Sequence, residues 1–301
     1  MAEMGHVFLA KLGKSKLRPG GIEATNWLLA HGNINKNSKV LEVACNRAKT
    51  MIKIHKEFGC EVTGIDLDDK FLEIANEAIK NKKLESKLNA IKGNAMELPF
   101  EDNTFDVVIN EAMLTMLHAE EKQKALKEYF RVLKPGGILL TQDVVLRTNV
   151  SDEQKQLRIG LSRSINANVE PLDLKSWKNT IESAGFSVTQ KYGAMTLMSP
   201  KGMIKDEGFF RTIKIFKNAM KKENRKMFKS MSILTKTSWA TSATFLQSQN
   251  RKESDERIVR KSIFNRKRES SGSGLHGLKI RERQKRIFHK LVFFCCRNGH
   301  K

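Results

Sequence analysis

Lys39-Val-Leu-Glu-Val-Ala-Cys-Asn-Arg-Ala48 and, a short way beyond, Cys60-Glu-Val-Thr-Gly-Ile-Asp66 decide the fold of this chain. Val40, Leu41, Val43 and Ala44 form a short apolar run of strand type, closed by a tight turn. Met51, Ile52, Ile54 and Phe58 then recur at helical spacing, and Val62, Ile65 and Leu67 restart an extended pattern. Strand, turn, helix and strand make a βαβ unit whose second strand ends in a carboxylate. Asp66 falls about 20 residues after the turn, where nucleotide-binding units of this kind put the acid that accepts ribose hydroxyls. The start of the helix offers unpaired N–H groups to an anionic or polar ligand.

Further along, Asn94-Ala-Met-Glu-Leu-Pro-Phe100 leads into Asp102-Asn-Thr-Phe-Asp-Val-Val-Ile-Asn110, a loop running into a buried strand. A helical stretch from Glu120 to Leu133 follows, then the turn Lys134-Pro-Gly-Gly137 and the strand Ile138 to Val145. In this order and spacing the pieces resemble the class I S-adenosylmethionine-dependent methyltransferases, nearest to the small-molecule branch described as methyltransferase type 11. The Leu-Pro-Phe…Phe-Asp-Val-Val and Leu-Lys-Pro-Gly-Gly elements carry the resemblance most specifically, and it extends over roughly residues 18 to 230. It implies an α/β fold: a doubly wound, Rossmann-like, mostly parallel sheet of seven strands, with S-adenosylmethionine as cofactor.

The family's first motif is usually rich in glycine, whereas this chain has Ala44, Asn46 and Ala48. Glycine suits such a turn because it accepts positive φ and lets a ligand approach the backbone. Asn tolerates the left-handed region, and each Ala adds only a methyl, so the turn can still be built. The alternative is a fold that has lost cofactor binding. By resemblance, Glu42 and the backbone at Ala44 and Asn46 face the methionine end of the cofactor. Asp66 accepts both ribose hydroxyls, as a carboxylate can. Leu67 packs on the adenine, and Asn94 with the Ala95 and Met96 backbone lies at the adenine edge. Asn110 and Glu111 close the fourth strand, outside whose carboxyl end ligands of such sheets bind. Upstream, Leu17-Arg-Pro-Gly-Gly21 reads either as an anion nest for the cofactor carboxylate or as a hinge before a packed helix.

Methyl transfer from a sulfonium needs in-line alignment more than covalent help, and alignment alone can supply roughly 7–11 kcal/mol. The residues to expect therefore shape a pocket, with one base at most. Glu111, His118 and Asp143 are the candidates, each near the carboxyl end of a core strand or just beyond it. Histidine is the side chain best suited to proton transfer near neutrality. His118 reads equally as a helix cap, and Asp143 as a partner of the neighbouring loop. The Asn/Asp-Pro-Pro-aromatic signature of enzymes acting on exocyclic base nitrogens is missing after Asn110, as is a Pro-Cys pair. The apolar cluster Met113, Leu114, Met116 and Leu117 stands there instead, suiting a small or lipophilic acceptor.

At 301 residues there is room for one sizeable α/β domain with appendages. No uninterrupted apolar run is long enough for a membrane span, and Lys11, Lys14 and Lys16 come too early for a signal core. Four cysteines without metal-ligand spacing fit reduced thiols in the cytoplasm and no metal site. The net charge of +22 is uneven: residues 1–200 carry 28 Lys/Arg against 25 Asp/Glu, and residues 201–301 carry 27 against 8. A methyltransferase domain over 1–230 is thus followed by a basic tail over 231–301. That tail could attract nucleic acid, which would make the protein an RNA methyltransferase. Ser270-Ser-Gly-Ser-Gly274 and the lack of periodicity point instead to disorder. The family's seventh strand, antiparallel between the fifth and sixth, is poorly represented by residues 231–250, so it is expected to be missing or improvised. A shifted reading frame over the same stretch can encode a better strand followed by a stop, as an out-of-frame tail would explain. The acceptor, the atom methylated and the oligomeric state are not written in the sequence.

Overall fold

The computed structural model describes residues 5–148 and 150–237 together with the backbone of the strand Thr241–Asn250. The elements run α1 (Gly5–Leu12), α2 (Gly21–Ala30), β1 (Lys39–Val43), α3 (Lys49–Phe58), β2 (Glu61–Asp66), α4 (Asp69–Lys80), β3 (Leu88–Lys92) and β4 (Phe105–Glu111). A 3₁₀ turn (Leu114–Met116) leads to α5 (Ala119–Val132), β5 (Leu133–Leu146), α6 (Ser151–Ile165), β6 (Leu172–Asp173), α7 (Leu174–Ser183) and β7 (Phe186–Ala194). Then come α8 (Pro200–Glu207), α9 (Phe209–Ala219), α10 (Lys222–Thr237) and β8 (Thr241–Asn250). The sheet order is β3-β2-β1-β4-β5-β8-β7, with β6 pairing the far end of β5. Every pairing is parallel except the two made by β8. The doubly wound sheet is therefore as expected, and the strand order reverses between β1 and β4, where such folds bind ligands.

Alternation along the strands divides the interior. Val40, Val62, Ile109 and Leu140 face a core shared with α2, α3 and α4. Leu41, Val43, Val108 and Leu139 face a second core with Tyr129 of α5 and Trp177 of α7. Phe8, Leu9 and Leu12 of α1 join Met203, Ile215, Ala219 and Met231 in a third, which holds α8–α10 beside the N-terminal segment. Local chemistry sets the ends of the helices. The side chains of Asp68, Asp173 and Ser199 accept backbone N–H groups at the starts of α4, α7 and α8. Gly59, with φ of 72°, ends α3 in the left-handed cap that glycine favours.

Three details refine the sequence reading. β5 begins at Leu133 and runs through Pro135-Gly136-Gly137, where the expected turn is reduced to a register shift against β4. Between α9 and α10 the helix is broken at Met220, where Asn224 Nδ2 donates to the Asn218 carbonyl and occupies an acceptor left by α9. The seventh-strand slot is occupied: β8 runs antiparallel between β5 and β7, pairing Val145 with Thr241 and Ala194 with Thr241. Beyond β8, the rest of the expected basic tail, with Arg266-Lys-Arg268, Arg281 to Arg286 and Cys295-Cys296, lies outside the described residues.

The turn after β1 positions the site, and it is built as its composition suggested. Ala44, Asn46 and Ala48 have φ of 59°, 50° and 54°, all left-handed. This conformation costs a non-glycine residue on the order of 1–2 kcal/mol. What holds the turn is the approach of β2: a Cβ on Gly64 would stand 2.5 Å from Met51 Sδ and 2.7 Å from Cys45 Cβ. Gly64→Ala should therefore lower stability by about 1–3 kcal/mol, the cost of overpacking, seen as a lower urea midpoint. An unchanged midpoint would show that α3 can retreat from the sheet. Asn46→Ile should cost about 1–2 kcal/mol in the same measurement, whereas Asn46→Gly should be neutral or better.

Candidate active site

At the carboxyl ends of β1 and β4 two acids stand together on one face of the sheet. Glu42 is 5% exposed and one of its oxygens, Oε2, has no hydrogen-bond partner. Burial pushes its carboxyl up to about 8; Arg18 pulls the other way and neighbouring Glu111 adds to the rise. Glu111 is held by Arg18 through a short ion pair, by the Thr25 hydroxyl at 2.7 Å and by Gln142 Nε2 at 3.1 Å. Arg18 also donates to Thr25 at 2.6 Å and to Thr50 of α3 at 2.5 Å. A single guanidinium thus bridges the N-terminal segment, β4 and α3.

That segment, residues 13–22, is a strap across the strand ends. Gly20 N–H donates to Gln142 Oε1 at 2.7 Å and Ile22 N–H to Asp206 Oδ1 at 2.8 Å. The amides considered above as an anion nest are therefore bonded to the protein's own acceptors. Gly21, with φ of 61°, is required here, because a Cβ would strike the Asp206 carboxylate. The other end of the strap is fastened to α8. Ser15 donates its N–H and its hydroxyl to Glu207 at 2.6 and 2.8 Å, and the Lys16 N–H donates to it at 2.9 Å. Lys14, with a fully buried side chain, lies 3.9 Å from Asp206 and 4.0 Å from Glu207. Burial lowers its ammonium, an effect the two carboxylates oppose.

On the nucleotide side, Asp66 receives the Asn46 N–H on Oδ2 at 2.8 Å and the Asp68 N–H on Oδ1 at 3.1 Å. The carboxylate is locked in place with lone pairs remaining for further donors. Leu67 follows with an exposed side chain. Asn94 Oδ1 accepts the Met96 N–H at 3.0 Å, a local turn in which Ala95 and Met96 pack on the core. The buried unpartnered acceptor of Glu42, the left-handed turn and the anchored Asp66 all stand at the carboxyl ends of β1 and β2, beside the switch point of the sheet. They fit a cofactor with a cationic amino-acid end and a ribose.

The opposite face of the same strand ends is also polar, but closed. Asn110 is fully buried and donates to the Tyr129 hydroxyl at 2.7 Å, so it points into the core beneath α5. Asp143 is fully buried too, and accepts the Thr115 N–H at 2.8 Å and the Thr115 hydroxyl at 2.5 Å. Burial raises its carboxyl to about 6 against the pull of those donors. Thr115 in turn accepts the Glu170 N–H at 2.8 Å, and Glu170 lies 3.4 Å from His118 Nδ1. His118 begins α5, with its N–H on Glu121, and its exposed ring has Nε2 2.9 Å from Asn168 Nδ2. Among the apolar cluster that follows β4, Leu114 is buried and Met113 and Leu117 pack on the core, while Met116 is exposed. Glu42 and Glu111 are therefore brought together, whereas Asn110 and Asp143 face away from them across the sheet. Arg18, Thr25, Thr50, Gln142 and Glu170 were missed by the sequence reading. Only Arg18 had a local signal, as the one cation beside the Pro-Gly-Gly turn.

Comparison with known proteins agrees with this geometry. A family model described as a methyltransferase domain matches residues 40–137. An uncharacterized protein of Haemophilus influenzae is 52% identical over 230 residues, covering 76% of this chain and 90% of its own length. Among solved structures, the MccD protein superposes with a TM-score of 0.61 at 22% identity, over 78% of this chain and all of its own. Geranyl diphosphate methyltransferase in complex with SAM gives a TM-score of 0.58 at 14% identity, over 76% and 84% of the two chains. With the parallel sheet, the crevice at its switch point and these relatives in hand, the chain belongs to the class I S-adenosylmethionine-dependent methyltransferases, and S-adenosylmethionine is its cofactor.

Proposed function

We propose that the acceptor methylated by this enzyme is a small molecule, enclosed beneath the strap formed by residues 13–22. One observation carries this reading: the strap crosses the ends of β4 and β5 and is bonded to both through Arg18–Glu111 and Gly20–Gln142. A crevice roofed in this way suits a compact acceptor better than a polymer. The cofactor supplies a methyl group on a sulfonium. Around it, Asp66 would hold the ribose, Leu67 and the Asn94–Met96 turn the adenine, and Glu42 with the turn at Ala44 and Asn46 the amino-acid end. Arg18 is the cation placed to balance Glu42 and Glu111 or to meet a carboxylate.

His118 is the residue we assign as base. Nδ1 carries the proton and points it towards Glu170, so the ring is oriented, and Nε2, which accepts from Asn168 in the free protein, is the nitrogen that would give up that bond to take the acceptor's proton. Glu111 would shape the acceptor crevice, and Asp143, through Thr115, would fix the loop on which His118 follows. His118→Ala should lower turnover about 10²–10⁴-fold while the dissociation constant for S-adenosylhomocysteine stays within a small factor. Equal turnover of variant and parent would return His118 to a capping role. Acceptors for that assay can be found by metabolite profiling with a labelled methyl donor.

Glu42 gives a second handle. Its carboxyl titrates near 8 in the free protein, so it is largely protonated at neutral pH. An ammonium group seated beside it favours the carboxylate, and by linkage binding near pH 7 should release about one proton. Affinity should accordingly rise with pH and level off above about 8. Calorimetry in buffers of different ionisation enthalpy measures that proton. Glu42→Gln should abolish the buffer dependence, and proton uptake in the parent protein would contradict the placement of Glu42.

A further inference from the structure

We propose that α8 and α9 form a docking surface for an anionic membrane, which the enzyme engages peripherally through the outer face of α9. Of the eleven large apolar side chains exposed among the described residues, five fall within residues 204–220: Ile204, Phe209, Phe210, Ile213 and Met220. Phe210 is 85% exposed and Phe209 58%. Phe209, Phe210 and Ile213 lie on the outward stripe of α9, with Met220 at its C-terminal cap and Ile204 on neighbouring α8, while the opposite stripe of α9, Thr212, Ile215 and Ala219, is buried, Ile215 and Ala219 packing with α1. The helix is thus already anchored by one face, and its outward apolar face is a second one.

Cations border that stripe. Helical spacing puts exposed Lys214 and Lys221 at one edge of the stripe and exposed Lys217 within it, Lys201 of α8 is exposed too, and the acids of α8, Asp206 and Glu207, have buried side chains turned inward to the strap. A helix with an apolar face flanked by lysines is the arrangement that lies in a bilayer interface, rings below the headgroups and ammonium groups among anionic lipids. No helix among the described residues is long and apolar enough to cross a membrane, so the contact is a surface one. The same charge disfavours a second copy, which would set lysine against lysine across a two-fold axis. Ile204, Ile213 and Met220 offer no ring for a nucleic-acid base to stack on, and Phe209 and Phe210 pack edge to face on each other at 5.6 Å. The surface also adjoins the strap, since Arg211 donates to the Gly13 carbonyl at 2.9 Å. The inference is independent of the acceptor's identity.

Flotation of the full chain with phosphatidylcholine vesicles, with and without phosphatidylglycerol, tests it. The parent should float with the phosphatidylglycerol vesicles and retain part of that binding at high salt. Phe209→Ser/Phe210→Ser should weaken partitioning at least about tenfold, given the apolar area each ring would bury, with unchanged thermal unfolding and cofactor binding. Vesicle binding that is unaltered in the variant and vanishes in high salt would assign the attraction to the remaining basic residues and overturn the proposal. So would the absence of vesicle binding, whether accompanied by single-stranded RNA binding or by a dimer in light scattering that the variant loses.

Discussion

Two carboxylates share a buried corner in this protein, and much of its architecture follows from keeping them there. Parallel pairing of β1 with β4 brings Glu42 and Glu111 to neighbouring strand ends, away from water. Like charges so placed are costly unless one is neutral or a cation lies between them. Both remedies are visible: Glu42 has its carboxyl raised, and Arg18 sits against Glu111. Arg18 can reach because the strap crosses the sheet, and Glu207 and Asp206, with Gln142, hold the strap's amides in place. α8 thus supports the site through its Asp206 and Glu207 carboxylates. Both are buried, so salt should screen this fastening far less than it screens surface pairs.

The turn after β1 shows a different compromise. Left-handed backbone at Ala44, Asn46 and Ala48 presents N–H groups inward, one of which reaches Asp66. Glycine would adopt it without strain but would leave a looser unfolded chain. Alanine accepts some strain for a smaller entropy loss, and the methyl of Ala48 is fully buried. The result is a left-handed turn made from residues that local propensity would not choose.

The sheet was legible because its cause is local. The mostly apolar runs from Val40 to Ala44 and from Phe105 to Ile109, and a carboxylate closing β2, are properties of short segments. Asp66, Glu42 and Asn46 could be placed for the same reason. Arg18 could not, since its role depends on contacts between Ser15 and Glu207, 192 residues apart. The same holds for Glu170, brought to His118 by a loop that no periodicity describes. Asn110 and Asp143 sat at the right strand ends but on the other face, and the one-residue parity that separates them from Glu111 and Gln142 is a strict consequence of the pleat. β8 looked a poor strand because its side chains are mostly small and polar. Its place depends on backbone groups, which β5 and β7 offer on both sides whatever the side chains are.

The position of β8 also imposes an order of events on folding. β5 and β7 are complete long before residue 241 is made, yet they are not hydrogen-bonded to each other. During synthesis they present two facing edges with unpaired N–H and C=O groups. The sheet can close only when β8 enters between elements that have already collapsed onto their helices. Such a non-local final step is slow compared with forming the βαβ units before it. In that interval the gap is open to a strand of any other chain, so the nascent protein is most vulnerable until Thr241–Asn250 has paired.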